Sequence, residues 1–189
     1  MKCEEYVPFS LLLIEWWKEK DMEEEILEKL LKKGIGFEKL SHPAVFTSEE
    51  AHLLSLPHRE AEAKNLFVKG KGRYFIFTVP PEKRVDLKAK GKAMGLGHLS
   101  FVREDEMKAI LGLTPGSVTP MGLLFDRERK VTLVIDSFFK EGLIYVHLTS
   151  NTSSILIKAS DLKTFLEEEG CRVEWGEFQE ERYEKLFEA

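Results

Sequence analysis

Apolar positions along this chain switch between a helical and an alternating period, and the switches mark out its elements. Ile26, Leu27, Leu30 and Leu31 recur at helical spacing after Asp21, Pro8 suits a first turn, and Gly34 suits a stop, so residues 8–33 read as helix. Phe37 to Ser41 reads as a short strand, and Thr47-Ser48-Glu49-Glu50 as a capping box that opens a helix to about Leu56, closed by Pro57. Asn65 to Val68 and Tyr74 to Val79 are apolar and β-prone. Lys69-Gly70-Lys71-Gly72 between them supplies the glycines of a hairpin turn.

Asp86 is placed to cap a helix running to about Met94, and Glu104 to Leu111 gives another that Gly112 ends. Val118 to Phe125 and Val131 to Ile135 read as a second hairpin across Asp126-Arg127-Glu128-Arg129. Strands follow at Leu143 to Leu148 and Ser154 to Ile157, then a helix from Asp161 to Glu169, a last strand from Arg172 to Trp175, and a charged tail. Helices interspersed with hairpins, without strict βαβ alternation, predict an α/β (α+β) fold: a mixed, largely antiparallel curved sheet surrounded by helices. The expected divisions are a helical extension over 1–34, a main domain over 35–176 and an acidic tail over 177–189.

A chain of 189 residues suffices for one such domain without disulfides or a structural metal. Cys3 and Cys171 are far apart and belong to no Cys/His cluster, and the five histidines, His42, His52, His58, His98 and His147, do not sit at ligand spacings. No metal and no cofactor are expected. The apolar run Leu11 to Ile14 is too short to span a bilayer and carries no leader features, so a cytoplasmic protein without membrane contact is the expectation.

The formal charge of −5 argues against a nucleic-acid partner until it is placed along the chain. Between Lys64 and Lys92 stand nine basic residues against two acidic ones, a local excess of +7 that leaves −12 for the remainder. One basic face on an acidic body suits phosphate recognition, although charge alone equally describes a solvated lysine-rich surface.

The chain has no P-loop, dinucleotide fingerprint, zinc-protease helix or nucleophile elbow. It carries instead a series of short stretches: His42-Pro43-Ala44-Val45-Phe46-Thr47-Ser48-Glu49-Glu50-Ala51, Ala63-Lys64-Asn65-Leu66-Phe67, Arg84-Val85-Asp86-Leu87-Lys88, Leu99-Ser100-Phe101, Leu113-Thr114-Pro115-Gly116-Ser117-Val118-Thr119-Pro120, and Val146-His147 with Asn151-Thr152. In this order they resemble the YbaK/prolyl-tRNA synthetase-associated family, particularly its free-standing PrdX-like Ala-tRNA(Pro) deacylases, over roughly residues 35 to 176. The resemblance implies a YbaK-like fold and hydrolysis of alanine from mischarged tRNA(Pro). Lys64 is then essential, Gly116 and His147 shape the site, and Asn65, Ser117, Val118, Pro120 and Asn151 line the pocket. One departure stands out: Leu148-Thr149-Ser150 follows His147 where these deacylases usually have Pro-Leu, which makes this segment a place for substrate choice to differ.

Chemistry is compatible with these residue types. An aminoacyl ester is activated, so positioning a water and stabilising an oxyanion suffice without a protein nucleophile. Lys64 offers a compact charge with three donors, and Gly116 permits close approach of backbone amides. Each has an ordinary reading beside it: a solvated strand lysine, a Thr-Pro-Gly-Ser turn, and for His147 a satisfied core histidine. Lys69, Lys71, Arg73, Arg84, Lys88, Lys90 and Lys92 are the candidates for tRNA phosphates. The expected partners are aminoacyl-tRNA, tRNA(Pro) foremost, and prolyl-tRNA synthetase. Deacylation of another small amino acid (Cys, Ser, Thr or a nonprotein residue) and a non-catalytic tRNA-binding module are the alternative readings.

Overall fold

The computed structural model describes residues 22–43, 57–114, 116–150 and 152–178, which fall into two compact units parting between Gly36 and Phe37. In the first, residues 22–32 form helix α1, braced by i,i+4 pairs Glu25–Lys29 at 3.1 Å and Glu28–Lys32 at 3.3 Å. Gly34, with φ 68°, ends it: its N–H donates to Leu31 and that of Ile35 to Leu30, the two bonds of a Schellman stop. The helix expected near 47–56, Asn151 and the tail beyond 178 lie outside the described residues.

The second unit holds a five-stranded and a three-stranded sheet. The larger has the order β4-β2-β3-β5-β8, from β2 (Lys64–Gly70), β3 (Arg73–Val79), β4 (Ser100–Phe101), β5 (Val131–Asp136) and β8 (Arg172–Gly176). The smaller has the order β1-β7-β6, from β1 (Phe37–Ser41), β6 (Leu143–His147) and β7 (Ser153–Lys158). Helices α2 (Leu87–Ala93), α3 (Glu104–Leu111) and α4 (Ala159–Glu168) complete a mixed α/β fold, as expected from the pattern. All pairs of the small sheet are antiparallel, as are β2/β3 and β2/β4, whereas β3/β5 and β5/β8 run parallel.

Local chemistry sets several of these elements. The β2–β3 hairpin turns on Lys71 and Gly72, both at positive φ as a two-residue primed turn needs. Gly70 serves packing instead: a Cβ there would lie 2.7 Å from Leu99 Cδ2. Asp86 caps α2 by accepting from the Ala89 N–H at 2.8 Å, and Gly112 at φ 68° stops α3. Every residue of β5 is buried, as befits a strand flanked by parallel neighbours.

One expectation fails. Residues 118–125 are not a strand, and no hairpin crosses 126–129; Pro120–Leu124 forms a 3₁₀ turn capped by the Thr119 hydroxyl. Pro120 at its start has no N–H to give a sheet, and Pro120, Met121, Gly122 and Leu123 are buried in unbroken succession, without strand alternation. A short apolar run does not distinguish the two by periodicity. Asp126 instead accepts from the Val131 N–H at 2.7 Å and so starts β5, which joins β3 and β8 rather than its sequence neighbour.

The register assigns faces to the larger sheet. Leu66 and Val68 pack with Phe75, Phe77, Val79 and Val134 against Leu87, Met94, Leu96 and Leu99 on one face. Alternation puts Lys64 on that face and Asn65 on the other.

Candidate active site

Asn65 is the hub of a hydrogen-bonded seam. It stands opposite Thr78 in the β2–β3 register, and its amide oxygen accepts from the Thr78 hydroxyl at 2.7 Å. Its amide nitrogen donates to the carbonyl of Val118 at 2.9 Å, tying strand β2 to the segment before the 3₁₀ turn. The next residue extends the seam: the buried Thr119 hydroxyl donates to the carbonyl of His147 at the end of β6. Three regions far apart in sequence are thereby pinned together, with Pro120 buried just behind them.

Gly116 is exposed at φ 87° in a tight turn. Ser117 closes it, its N–H and hydroxyl donating to the Thr114 carbonyl at 3.0 and 2.8 Å while its oxygen accepts from the Thr114 N–H at 3.1 Å. A left-handed residue is costly for any side chain, so glycine fits this position on backbone grounds alone. Lys64 donates to the carbonyl of Pro81 at 2.6 Å, beyond the end of β3.

His147 sits in the most informative environment. Burial, and then the nearby His42 ring, push its imidazole down from 6.5 to about 4, so it is neutral at neutral pH. Its Nδ1 lies 2.9 Å from the Ser154 hydroxyl, and the His42 ring centroid is 5.7 Å away. Ser154 and His42, with Thr78 and Thr119, are site residues that sequence reasoning missed. His42 and Thr119 carried a signal, as members of the resembling stretches 42–51 and 113–120; a threonine within β3 and a serine within the buried strand β7 carry none.

The basic residues separate into two groups. Lys71, Arg73, Arg84, Lys88 and Lys92 are exposed, Lys71 donating to the Gly95 carbonyl at 2.9 Å and Arg73 lying over the Phe75 ring at 5.2 Å. Lys69 and Lys90 are engaged within the fold. Lys69 bonds Glu106, and that bond foremost holds the Glu106 carboxyl below its ordinary range. Lys90 donates to the Glu177 carbonyl at 2.7 Å and lies 4.2 Å from the Phe178 ring centre, and burial lowers its ammonium. Lys83 pairs with the buried Asp136 at 2.7 Å, a further internal cation. Among the described residues no group of three His, Cys, Asp or Glu side chains is arranged to hold a metal ion.

Comparison with known proteins places the chain first in a class, that of aminoacyl-tRNA deacylases. It belongs to the aminoacyl-tRNA editing domain family, which it matches over residues 42–165. The prolyl-tRNA editing protein ProX of Acetoanaerobium sticklandii is 28% identical, over 79% of this chain and 93% of that protein. The prolyl-tRNA synthetase associated domain-containing protein 1 of Mus musculus is 32% identical, over 79% of this chain and 92% of its own. A solved structure provisionally described as a trans-editing enzyme for prolyl tRNA synthetase superposes with a TM-score of 0.62 at 18% identity, covering 85% of this chain and 98% of that one, and supports the fold.

Proposed function

We propose that this protein removes alanine from mischarged Ala-tRNA(Pro), acting in trans to prolyl-tRNA synthetase, within a catalytic domain spanning 35–176. Family membership and relatives named for prolyl-tRNA editing support the reaction. The observation that carries the site is the seam from Asn65 through Val118 and Thr119 to the backbone carbonyl of His147, whose imidazole is neutral. Water adds to the ester carbonyl, the bond to the ribose oxygen breaks, and that oxygen takes a proton, giving alanine and free tRNA. Gly116 supplies its backbone N–H to the developing oxyanion, and Lys64 contacts the 3′ end of the tRNA or the ester carbonyl. Ser117, Val118 and Pro120 bound a pocket that admits a methyl side chain and excludes the proline ring. A synthetase cannot reject a smaller amino acid by more than about 1–3 kcal/mol per missing methylene, which is why a second sieve is needed.

Phosphates of the acceptor stem fall to Lys71, Arg73, Arg84, Lys88 and Lys92, while Lys69 and Lys90 hold the fold. Among the described residues no helix is long and apolar enough to cross a membrane. Incubation with alanyl- and prolyl-tRNA(Pro) tests the reading: alanine is released and proline retained, and equal release of both, or no alanine release, overturns it. Lys64→Ala abolishes the activity. A second reading, another small amino acid as substrate, is favoured by one observation: Leu148 and Thr149, in the segment that departs from the deacylase pattern, are buried beside His147. A panel of charged tRNAs separates the two.

A further inference from the structure

Ser154 occupies the middle strand of the small sheet, opposite Leu40 on β1 and His147 on β6. Alternation puts its hydroxyl on the same face as His147 and as His42, two positions past Leu40. The hydroxyl is buried and lies 2.8 Å from His42 Nε2 and 2.9 Å from His147 Nδ1. At the far end, His42 Nδ1 is 2.9 Å from the Pro43 carbonyl.

The direction of every proton in this chain follows from what each atom is able to do. A carbonyl only accepts, so His42 carries a hydrogen on Nδ1. In the neutral ring that leaves Nε2 as an acceptor, and it takes the single hydrogen of Ser154. The hydroxyl is then an acceptor on its other side, and His147 must donate from Nδ1. The order ends at His147 Nε2, which carries a lone pair and no hydrogen.

We propose that Ser154 and His42 are positioning residues that hold His147 in its Nδ1–H tautomer, so that Nε2 meets the aminoacyl end as a fixed hydrogen-bond acceptor. The inference rests on the deacylase reading above. The matching donor is an N–H or O–H at the reacting centre, either the α-ammonium of the amino acid or the attacking water. The opposite tautomer puts an N–H at the same point and loses that bond. A low proton affinity at His147 keeps the lone pair available at neutral pH.

The direct test is long-range proton–nitrogen NMR on histidine-labelled protein, which reads each ring's tautomer without tRNA. His147 shows the Nδ1–H pattern, Ser154→Ala shifts it toward Nε2–H, and kcat/KM on alanyl-tRNA(Pro) falls on the order of 10-fold, less than the roughly 10²–10⁴ attached to an acid–base group itself. His42→Phe, which removes the acceptor, loses a similar factor, and His42→Gln, whose amide oxygen accepts from Ser154, recovers most of it and restores the tautomer. Propionyl-tRNA(Pro), which lacks the amine, identifies the donor: a Ser154→Ala loss confined to alanyl-tRNA assigns the ammonium, and an equal loss on both assigns the water. An Nε2–H pattern for His147 in the unaltered protein, or a Ser154→Ala spectrum and rate that match it, overturns the proposal. Because the spectra need no substrate, failure of alanine release would defeat the functional reading while leaving the tautomer result standing.

Discussion

Replacing His147 with glutamine should remove a specific acid sensitivity from the fold. The ring sits at about 4 in the folded protein against an ordinary 6.5, because its environment resists a charge. As pH falls through 6.5 the unfolded chain takes up a proton that the native state refuses, so stability declines; below about 4 both states are protonated and the decline stops. The slope reaches at most about 1.4 kcal/mol per pH unit, and the whole loss at most about 3 kcal/mol, an upper figure because the ring keeps some contact with solvent. Guanidinium unfolding at several values between about pH 7 and about pH 4 measures it. Titrating groups remote from this network affect wild type and His147→Gln alike, so the stability difference between them isolates the ring and its hydrogen-bonded partners. That difference should move steadily in favour of the variant as pH falls. Parallel stability curves over this window would refute the placement of His147 in a desolvated site.

Three further outcomes follow from the packing and the charge. Asn65→Ala strands the buried Thr78 hydroxyl and the Val118 carbonyl, so chemical denaturation should show a loss of about 1–3 kcal/mol, and deacylation should fall further because the 114–119 turn loses its anchor. Gly91→Ala, which ordinarily stabilises a helix by about 1 kcal/mol, should destabilise this one by about 1–3 kcal/mol, since the new Cβ would lie 2.1 Å from the Gly97 carbonyl oxygen; a raised melting temperature contradicts the packing of α2. Removing both Lys88 and Lys92 should flatten the salt dependence of tRNA binding by roughly 0.7–0.9 in log–log slope per lost phosphate contact, whereas Lys90→Ala, whose ammonium is held by Glu177, should leave that slope unchanged.

The elements most legible in the sequence were those set by local chemistry. Gly34 and Gly112 stop their helices, Asp86 caps α2, and Lys71-Gly72 turns the first hairpin, because a left-handed residue or a side-chain cap acts within a few positions of itself. Pro120 is an equally local signal that its apolar neighbours obscure: they suggest a strand, whereas the proline, lacking an N–H, starts a 3₁₀ turn. Within the site, Asn65, Val118 and His147 stand out through a resemblance, yet the side-chain partners of Asn65 and His147 are Thr78 and Ser154, residues with no distinguishing pattern.

By itself the sequence determined the helix stops, the first hairpin and the concentration of positive charge between residues 64 and 92. Tertiary structure alone decided that β5 runs parallel between β3 and β8, that Lys69 and Lys90 face partners within the fold, and that a serine joins two histidines 105 positions apart. The physical reason is range. Caps and turns are settled by energies between near neighbours, whereas strand order, ion pairing and the direction of a shared proton depend on which distant segments are brought together when the apolar faces close.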